Sequence, residues 1–414
     1  MFLSFLLYTF VYAGIIFLGG WAIIAAMLYS KWRTDRKLDT IIGGWMSKQD
    51  YLVVQLFPPA INERSMAEME NLYINLASIF RNISKKDMHL EGKTLEAYSF
   101  ELHSRGGQVS FYVRLNRNYL PLLRSSLAAH YPGSEVIEVP DPLQAWPDEW
   151  RGQAGPYTKM SSMDIVFGNK SDLYPLKFWS DFQRDDNTPI TDPVSTIITA
   201  LESIEPQDYA IIQFILKPKI DTAVLKEWAS ELKKKRQEFK ENSAMEIGDD
   251  GGVKLLTKQE QNILNAAEMK MTSENFQTKI RVGLFTATGG PNRMLGPIMG
   301  YFKQYASELQ FLKPDASTKT TASSTSLTWG PTIDKYYWAR ENEIRQRRAY
   351  LNLKRRSFSG GSKPKFFNVS ALAAIFHFPI TTNIDQSLAS RVSTGEGAAG
   401  ALTGGSSAPR DLPT

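Results

Sequence analysis

Between Tyr51 and Pro140 two hydrophobic periodicities follow one another in a fixed order, and that order constrains the fold more than any other feature of the chain. Tyr51-Leu-Val-Val-Gln-Leu-Phe57 is a β-branched and aromatic run that stops at Pro58-Pro59, which a strand interior does not tolerate. Ser65-Met-Ala-Glu68 has the form of a capping box, with the Ser65 hydroxyl placed for the amide of Glu68, and Met66, Met69, Leu72, Leu76 and Ile79 follow at helical spacing. Tyr98, Phe100 and Leu102 then alternate with Ser99, Glu101 and His103. The chain turns at Ser104-Arg105-Gly106-Gly107, and Val109, Phe111 and Val113 alternate with Ser110, Tyr112 and Arg114. Period two on both sides of a Gly-Gly turn predicts a hairpin. Asn118 can cap a helix carrying Leu120, Leu123 and Leu127, Pro132-Gly133 ends it, and Glu135 to Val139 supplies a fourth strand. The order βαββαβ predicts a ferredoxin-like unit over 51–140, with two helices on one face of an antiparallel sheet.

After a Trp- and Pro-containing connection (141–172) the pattern returns. Leu173 to Trp179 reads as a strand, with Pro175 arguing for an edge; Asp192-Pro193 starts a helix through Val194, Ile197, Ile198 and Leu201; Tyr209 to Lys217 is a strand of near-continuous Ile, Phe and Leu. A Lys-, Glu- and Gln-rich stretch, 222–272, broken at Gly248-Asp-Asp-Gly-Gly252, reads as an inserted helical hairpin. Phe276 to Thr286 resumes as a strand, Asn292 can cap a further helix, and Leu309 to Leu312 closes the sheet. The expected class is therefore α+β: two ferredoxin-like units, 51–140 and 173–313, the second carrying the helical insertion.

No residue from Met1 to Ser30 is charged, and Leu, Ile, Phe, Val, Ala and aromatics dominate, a run long enough to cross a bilayer. A secretory signal peptide would open with basic residues. Here the basic residues Lys31, Arg33, Arg36 and Lys37 follow the run, in a linker spanning 31–50. The positive-inside rule then predicts a single-pass anchor in the inner (plasma) membrane, with the N-terminus outside and the folded units cytoplasmic. The 414-residue chain has no cysteine, which excludes disulfides, cysteine metal sites and thiol nucleophiles.

The sequence offers little chemistry. Glu91-Gly92-Lys93-Thr94 carries the last letters of a phosphate-binding loop, but Asp87 stands where its first glycine belongs, and a polar turn is the simpler reading. His89, His103, His130 and His377 are scattered, with His103 on the polar face of the hairpin. Asp185-Asp186 and Asp249-Asp250 lack calcium-loop spacing. Neither a catalytic constellation nor a cofactor or metal site stands out, so the chain reads as a non-enzyme.

Residues 314–392 change in character. Ser317 to Thr328 reads as a Ser/Thr-rich linker. From Lys335 to Arg356 there are eight Lys or Arg against two Glu, interleaved with Tyr336, Tyr337, Trp338 and Tyr350. Arg345, Arg347, Arg348, Lys354, Arg355 and Arg356 could meet phosphate in DNA, anionic lipid, or only water from an exposed face. Asn368 to Pro379 is a short capped apolar helix whose Leu372, Ile375, Phe376 and Phe378 must bury against its own domain or a partner. From 393 to 414 Gly, Ala, Ser and Thr predict a disordered tail.

The block Tyr98-Ser-Phe-Glu-Leu-His-Ser-Arg-Gly-Gly-Gln-Val-Ser-Phe-Tyr-Val-Arg114, then Tyr131-Pro-Gly-Ser-Glu-Val-Ile-Glu138, Asp172-Leu-Tyr-Pro-Leu-Lys177 and above all Leu372-Ala-Ala-Ile-Phe-His-Phe-Pro379 with Pro409-Arg-Asp-Leu-Pro413, resembles the membrane-anchored region that precedes the ATPase in conjugation and type IV secretion-type proteins of small-genome bacterial lineages. That resemblance implies a scaffold or adaptor of a DNA- or protein-translocation apparatus. In such proteins a similar Phe-His-Phe-Pro helix leads into a motor domain, whereas this sequence stops at Thr414 with no phosphate-binding loop; a natural motorless paralogue, a split gene and a truncated reading frame are the readings open, the first two with a separate translocation ATPase as the candidate partner. Two alternatives stand beside it: a membrane-tethered nucleic-acid-binding protein and a ferredoxin-like small-molecule sensor.

Overall fold

The computed structural model describes residues 20–21, 24–31, 33–34, 37–38, 40–79, 83–182, 192–218, 222–245, 256–321 and 331–380. The chain divides into a small unit, 1–50 with 81–96, and a large one, 51–80 with 97–414.

In the small unit every described position from Ile24 to Met46 is helical, with Lys31, Arg33 and Lys37 exposed along it. Among the described residues no helix is long and apolar enough to cross a membrane. The expected anchor is therefore withdrawn, and with it the inner-membrane topology. The described residues of the basic cluster, Lys31, Arg33 and Lys37, are themselves helical. Residues 1–19 and 22–23 of the expected span, and Arg36, lie outside the described residues. So do Asp185-Asp186, Asp249-Asp250, 322–328 of the expected linker and the whole 393–414 tail. The Glu91-Gly92-Lys93 sequence closes a short helix, α2 (Lys85–Glu91), with Gly92 as its left-handed C-cap, and Lys93 pairs with Glu91 at 2.6 Å.

The large unit is built on one nine-stranded, wholly antiparallel sheet: β1 (Tyr51–Phe57), β2 (Tyr98–Arg105), β3 (Gln108–Asn116), β4 (Glu135–Val139), β5 (Lys159–Phe167), β6 (Asp208–Pro218), β7 (Asn275–Thr286), β8 (Leu312–Pro314) and β9 (Lys365–Asn368). Eight strands run in the order β4-β1-β3-β2-β6-β7-β5-β8, and β9 pairs with the first residues of β7, beyond the end of its pairing with β5. The expectation of two ferredoxin-like units is thus corrected to a single sheet. The cause is the junction. Eight residues of β2, Tyr98 to Arg105, pair in register with Leu216 to Tyr209 of β6, so two long apolar strands that would otherwise be exposed edges satisfy each other.

A second correction concerns β5. It occupies Lys159–Phe167, inside the expected connection, while Leu173 to Trp179 is not a strand. Ser161, Ser162 and Asp164 hid it by breaking the apolar alternation. All three are buried, and the Ser162 hydroxyl donates to the Val282 carbonyl at 2.8 Å.

Alternation places Phe100, Leu102, Phe111, Val113, Ile212, Phe214, Ile280 and Val282 on one face, where α1 (Met66–Ala77), α3 (Leu120–His130), α4 (Pro193–Glu202), α7 (Leu295–Lys303) and α9 (Val369–Ile375) close a continuous core across both halves. Ser65 caps α1 through the amide of Ala67, at 3.2 Å, rather than that of Glu68, whose carboxylate meets His130 Nδ1 at 2.8 Å. The inserted hairpin, α5 (Thr222–Met245) and α6 (Lys258–Thr272), packs Trp228, Leu232 and Leu264 against Leu173 and Phe366. The opposite sheet face is covered by α8 (Pro331–Lys354) and the 141–157 connection. There α8 comes so close that a Cβ on Gly283 would lie 2.7 Å from the Leu353 side chain; only hydrogen fits.

Candidate functional site

Cross-strand register assembles a polar belt under the end of α8. Tyr112 of β3 lies opposite Glu101 of β2, Glu101 opposite Gln213 of β6, Gln213 opposite Arg281 of β7, and Arg281 opposite Asp164 of β5. Apart from Tyr112, each is at most 2% exposed. Burying such groups is costly unless they are paired, and here pairing is dense. Arg356, just beyond α8, drops onto Glu101, its Nε donating to Oε1 at 2.9 Å, and reaches Asp141 with a second nitrogen at 2.9 Å. The Ser99 hydroxyl donates to Glu101 at 2.6 Å, His103 Nε2 donates to its other oxygen at 2.8 Å, and His103 Nδ1 lies 2.6 Å from the Tyr209 hydroxyl. Burial alone would raise the Glu101 pKa, but the Arg356 charge and the His103 contact outweigh it, so Glu101 is held well below the usual carboxylate range. Arg356 moves the other way, against its own desolvation, because of the same two carboxylates.

Arg281 makes a second clamp one step along the belt. It pairs with Asp164 at 2.9 Å and donates to the carbonyls of Asn352 (2.8 Å) and Gly360 (2.9 Å). Asp164 in turn accepts from the Ser362 amide at 2.7 Å. Gly361 passes between these partners at φ 86°, where a Cβ would sit 2.2 Å from the Asp164 carboxylate, so both its backbone and the space require glycine. Arg356 is itself left-handed, at φ 49°, a conformation that a non-glycine residue holds only when its surroundings impose it.

The six cations picked out from the sequence therefore divide. Arg356 is buried in the belt. Lys354 donates to the carbonyl of Trp146 and to Asp148, and Arg345 to Glu341 and to the Lys319 carbonyl. Arg347 is exposed and paired with Glu343 at 2.7 Å. Arg348 and Arg355 are exposed. Three of the six are thus exposed and the other three are held by partners. All six belong to α8 and the turn that ends it.

Belt and clamp return the chain to the helical face. After β9, Leu372, Ile375, Phe376 and Phe378 are all buried; Phe376 meets the rings of Phe100, Phe214 and Phe111 at 5.2–5.9 Å, and Phe378 meets Tyr131 at 4.9 Å. Asp192 ends the path. As N-cap of α4 it accepts from the amides of Val194 and Ser195, and it also accepts from His377 Nε2 at 2.9 Å and from the Ile380 amide at 2.9 Å. Burial would raise its pKa, but the neighbouring His377 and these donors lower it on balance.

Residues 45–382 match the model of a family described as a domain of unknown function, DUF8128. The chain belongs to that family. The DUF8128 span takes in every strand, both arginine clamps and the Asp192 pin, and it ends two residues beyond Ile380, so belt and return segment are parts of the family's domain. None of the curated proteins compared matches the chain.

His103 and Arg356 are the functional-looking residues that sequence reading misplaced. Alternation in β2 sets Ser99, Glu101 and His103 on the polar face of the hairpin; that face is buried, with Arg356 over Glu101 and the 141–157 connection beside His103. Arg356 read as one cation among six. Its signal is Ser357-Phe-Ser-Gly-Gly361, a turn rich in small residues directly behind it. Lys270 is also displaced, down to about 7, by burial; its Nζ donates to the Asp172 carbonyl and is covered by the rings of Phe167 and Trp228, at 5.0 and 5.4 Å.

Proposed function

We propose that this chain is a non-catalytic scaffold or adaptor of a conjugation or type IV secretion-type translocation apparatus, serving as a rigid base on which a translocation ATPase is held. The observation that carries the reading is the fixed exit of the chain. The segment 365–380 leaves the belt, fills the helical face with four buried apolar side chains, and is pinned at Ile380 by Asp192. A base for a motor needs a departure point that does not swing, and this path supplies one. The likeness of Leu372 to Pro379 to the segment that leads into the motor in conjugation-type proteins supplies the apparatus. The buried charges of the belt support a structural role, because Glu101 is taken up by Arg356 and His103, and Arg281 by Asp164 and by the carbonyls of Asn352 and Gly360.

The test is association and turnover together. The full chain purified from its own cells should bring down a translocation ATPase, and the two remixed should elute as one complex. The chain alone should hydrolyse no ATP above background, because it offers no loop to cradle a triphosphate among its described residues. Turnover by the chain alone that Lys93→Ala abolishes, or the absence of any bound ATPase, would sink the proposal.

A further inference from the structure

Beyond the belt, towards the tip of the β2–β3 hairpin, the same sheet face holds a cavity of about 220 Å³ that the scaffold role does not use. His103, Tyr112, Trp146, Tyr157 and Tyr209 form its walls, and Arg105 stands at its mouth. The walls are rings held by one another. Trp146 lies edge-on to Tyr209 at 5.1 Å and 5.7 Å from Tyr157, while His103 is 4.8 Å from Tyr112. Two of these rings are also locked from behind, since His103 is fixed between the Glu101 carboxylate and the Tyr209 hydroxyl. The rim is made of small residues that do not close it. Ala145, Gly155 and Pro156 line it, and nothing lies within 4 Å of where a Cβ on Gly155 would be.

Charge decides what such a slot accepts. An aromatic cage with an acidic rim would suit a cation. Here the acids that reach the slot are already paired, Glu101 with Arg356 and Asp208 with Arg293, whereas Arg105 is exposed and its guanidinium makes no ion pair among the described residues. Its charge reaches the hydroxyls of Tyr112 and Tyr157, opposing the rise that burial gives them. The ligand is therefore flat and carries an anion. Its flat part is one ring system, because a drug-sized ligand needs about 300–1,000 Å³.

From the ring-lined cavity and the unpaired Arg105 at its mouth we infer that this site binds a single nucleotide, with the base among Trp146, Tyr157 and Tyr209 and the phosphate on Arg105. Base–aromatic stacking tolerates any base, so binding is not specific for sequence, and a guanidinium matches phosphate oxygens in pairs. The nucleotide can be free or part of a single strand. The inference does not rest on the scaffold reading, which concerns the exit at Ile380, so either can fail alone.

The test is titration of the full chain with dTMP and dAMP by calorimetry, and with a fluorescently labelled twelve-residue oligothymidylate by anisotropy, at two salt concentrations. The oligonucleotide should bind, more weakly at higher salt. Arg105→Gln should weaken binding about tenfold and flatten the salt dependence, and Trp146→Ala should weaken it by about tenfold or more. Because Trp146→Ala could loosen the aromatic cluster, Ala145→Trp is the control that fills the mouth from an exposed position. It should abolish binding at an unchanged melting temperature. Monophosphates binding as tightly as the oligonucleotide would identify a free nucleotide as the ligand; a much tighter oligonucleotide would identify a strand. Binding of neither, or binding that survives both Ala145→Trp and Arg105→Gln, would overturn the inference.

Discussion

The two faces of the sheet are both buried, yet one is closed by hydrocarbon and the other by an apolar patch, with Ile211, Phe285, Tyr350 and Leu353, set beside a belt of ions. On the helical face the strands present Phe, Leu, Val and Ile to amphipathic helices, and α9 with the residues after it completes the layer through Leu372, Ile375, Phe376 and Phe378. On the α8 face the same strands present Glu101, Gln213, Arg281 and Asp164, and closure depends on Arg356 and on carbonyls of the turn after α8. Hydrocarbon closure is non-directional and tolerates some repacking, whereas the ionic face is closed only if every partner arrives. The difference predicts that the helical face governs how much stability the domain has, and the α8 face governs where the last segment of chain goes.

The largest effect should come from the hydrocarbon side. Phe376→Ala removes a ring that touches three others in the centre of the core, and should cost about 3–5 kcal/mol in chemical denaturation. A loss under about 1 kcal/mol, within the range of surface substitutions and small core trims, would mean that the return segment is not docked as described. Arg356→Ala should come next, at about 3 kcal/mol, because it strands a buried carboxylate. Glu101→Gln in the same background should recover part of that loss, whereas it should recover nothing from Phe376→Ala, and a double-mutant cycle on each pair would break or sharpen the contrast.

Acid should separate the faces next. Glu101 has its folded pKa depressed, so the stability it contributes is present above the ordinary carboxylate pKa and is lost as the pH falls below it, the unfolded chain taking up the proton first. Asp192 shifts in the same direction, so the exit pin loosens in the same window. Melting temperature measured from pH 6 down to pH 3 should fall, and fall less in Glu101→Gln than in the wild type. Identical acid limbs would show that the belt carries no titrating stability.

How much of this was legible in the sequence follows from the same contrast. Where a face is hydrocarbon, alternation reads it directly: β1 begins at Tyr51 and ends at Phe57, where the β-branched run does, and β7 lies within a residue of its expected start. Where a buried face is polar, alternation gives no sign that it is buried, and so β5 is hidden inside the expected connection and His103 reads only as a residue of the hairpin's polar face. Pairing between β2 and β6 was also illegible, because nothing in two apolar strands says whether each is an edge or a neighbour of the other; that decision is tertiary, and it turned two expected units into one sheet. The path of the last helix was half legible. Its apolar side chains had to be buried somewhere, but the residue that pins it, Asp192, already had a full explanation as a helix cap.

The smallest effect is expected at Arg348 and Arg355, and it tests the division among the six cations. Both are exposed on the α8 segment, outside the belt and away from the aromatic cavity. Neutralising both, as Arg348→Gln with Arg355→Gln, should change stability by no more than about 0.5 kcal/mol, the usual range for surface substitutions away from a special feature. Their screening by salt and water leaves no mechanism for more. Retention on single-stranded DNA should fall only slightly and in step with ionic strength, since two distant charges have gone while Arg105 and the ring slot remain. If instead the double variant abolished retention and Arg105→Gln did not, the basic segment would be the nucleic-acid contact after all, and the α8 face would carry a second function on its outer surface.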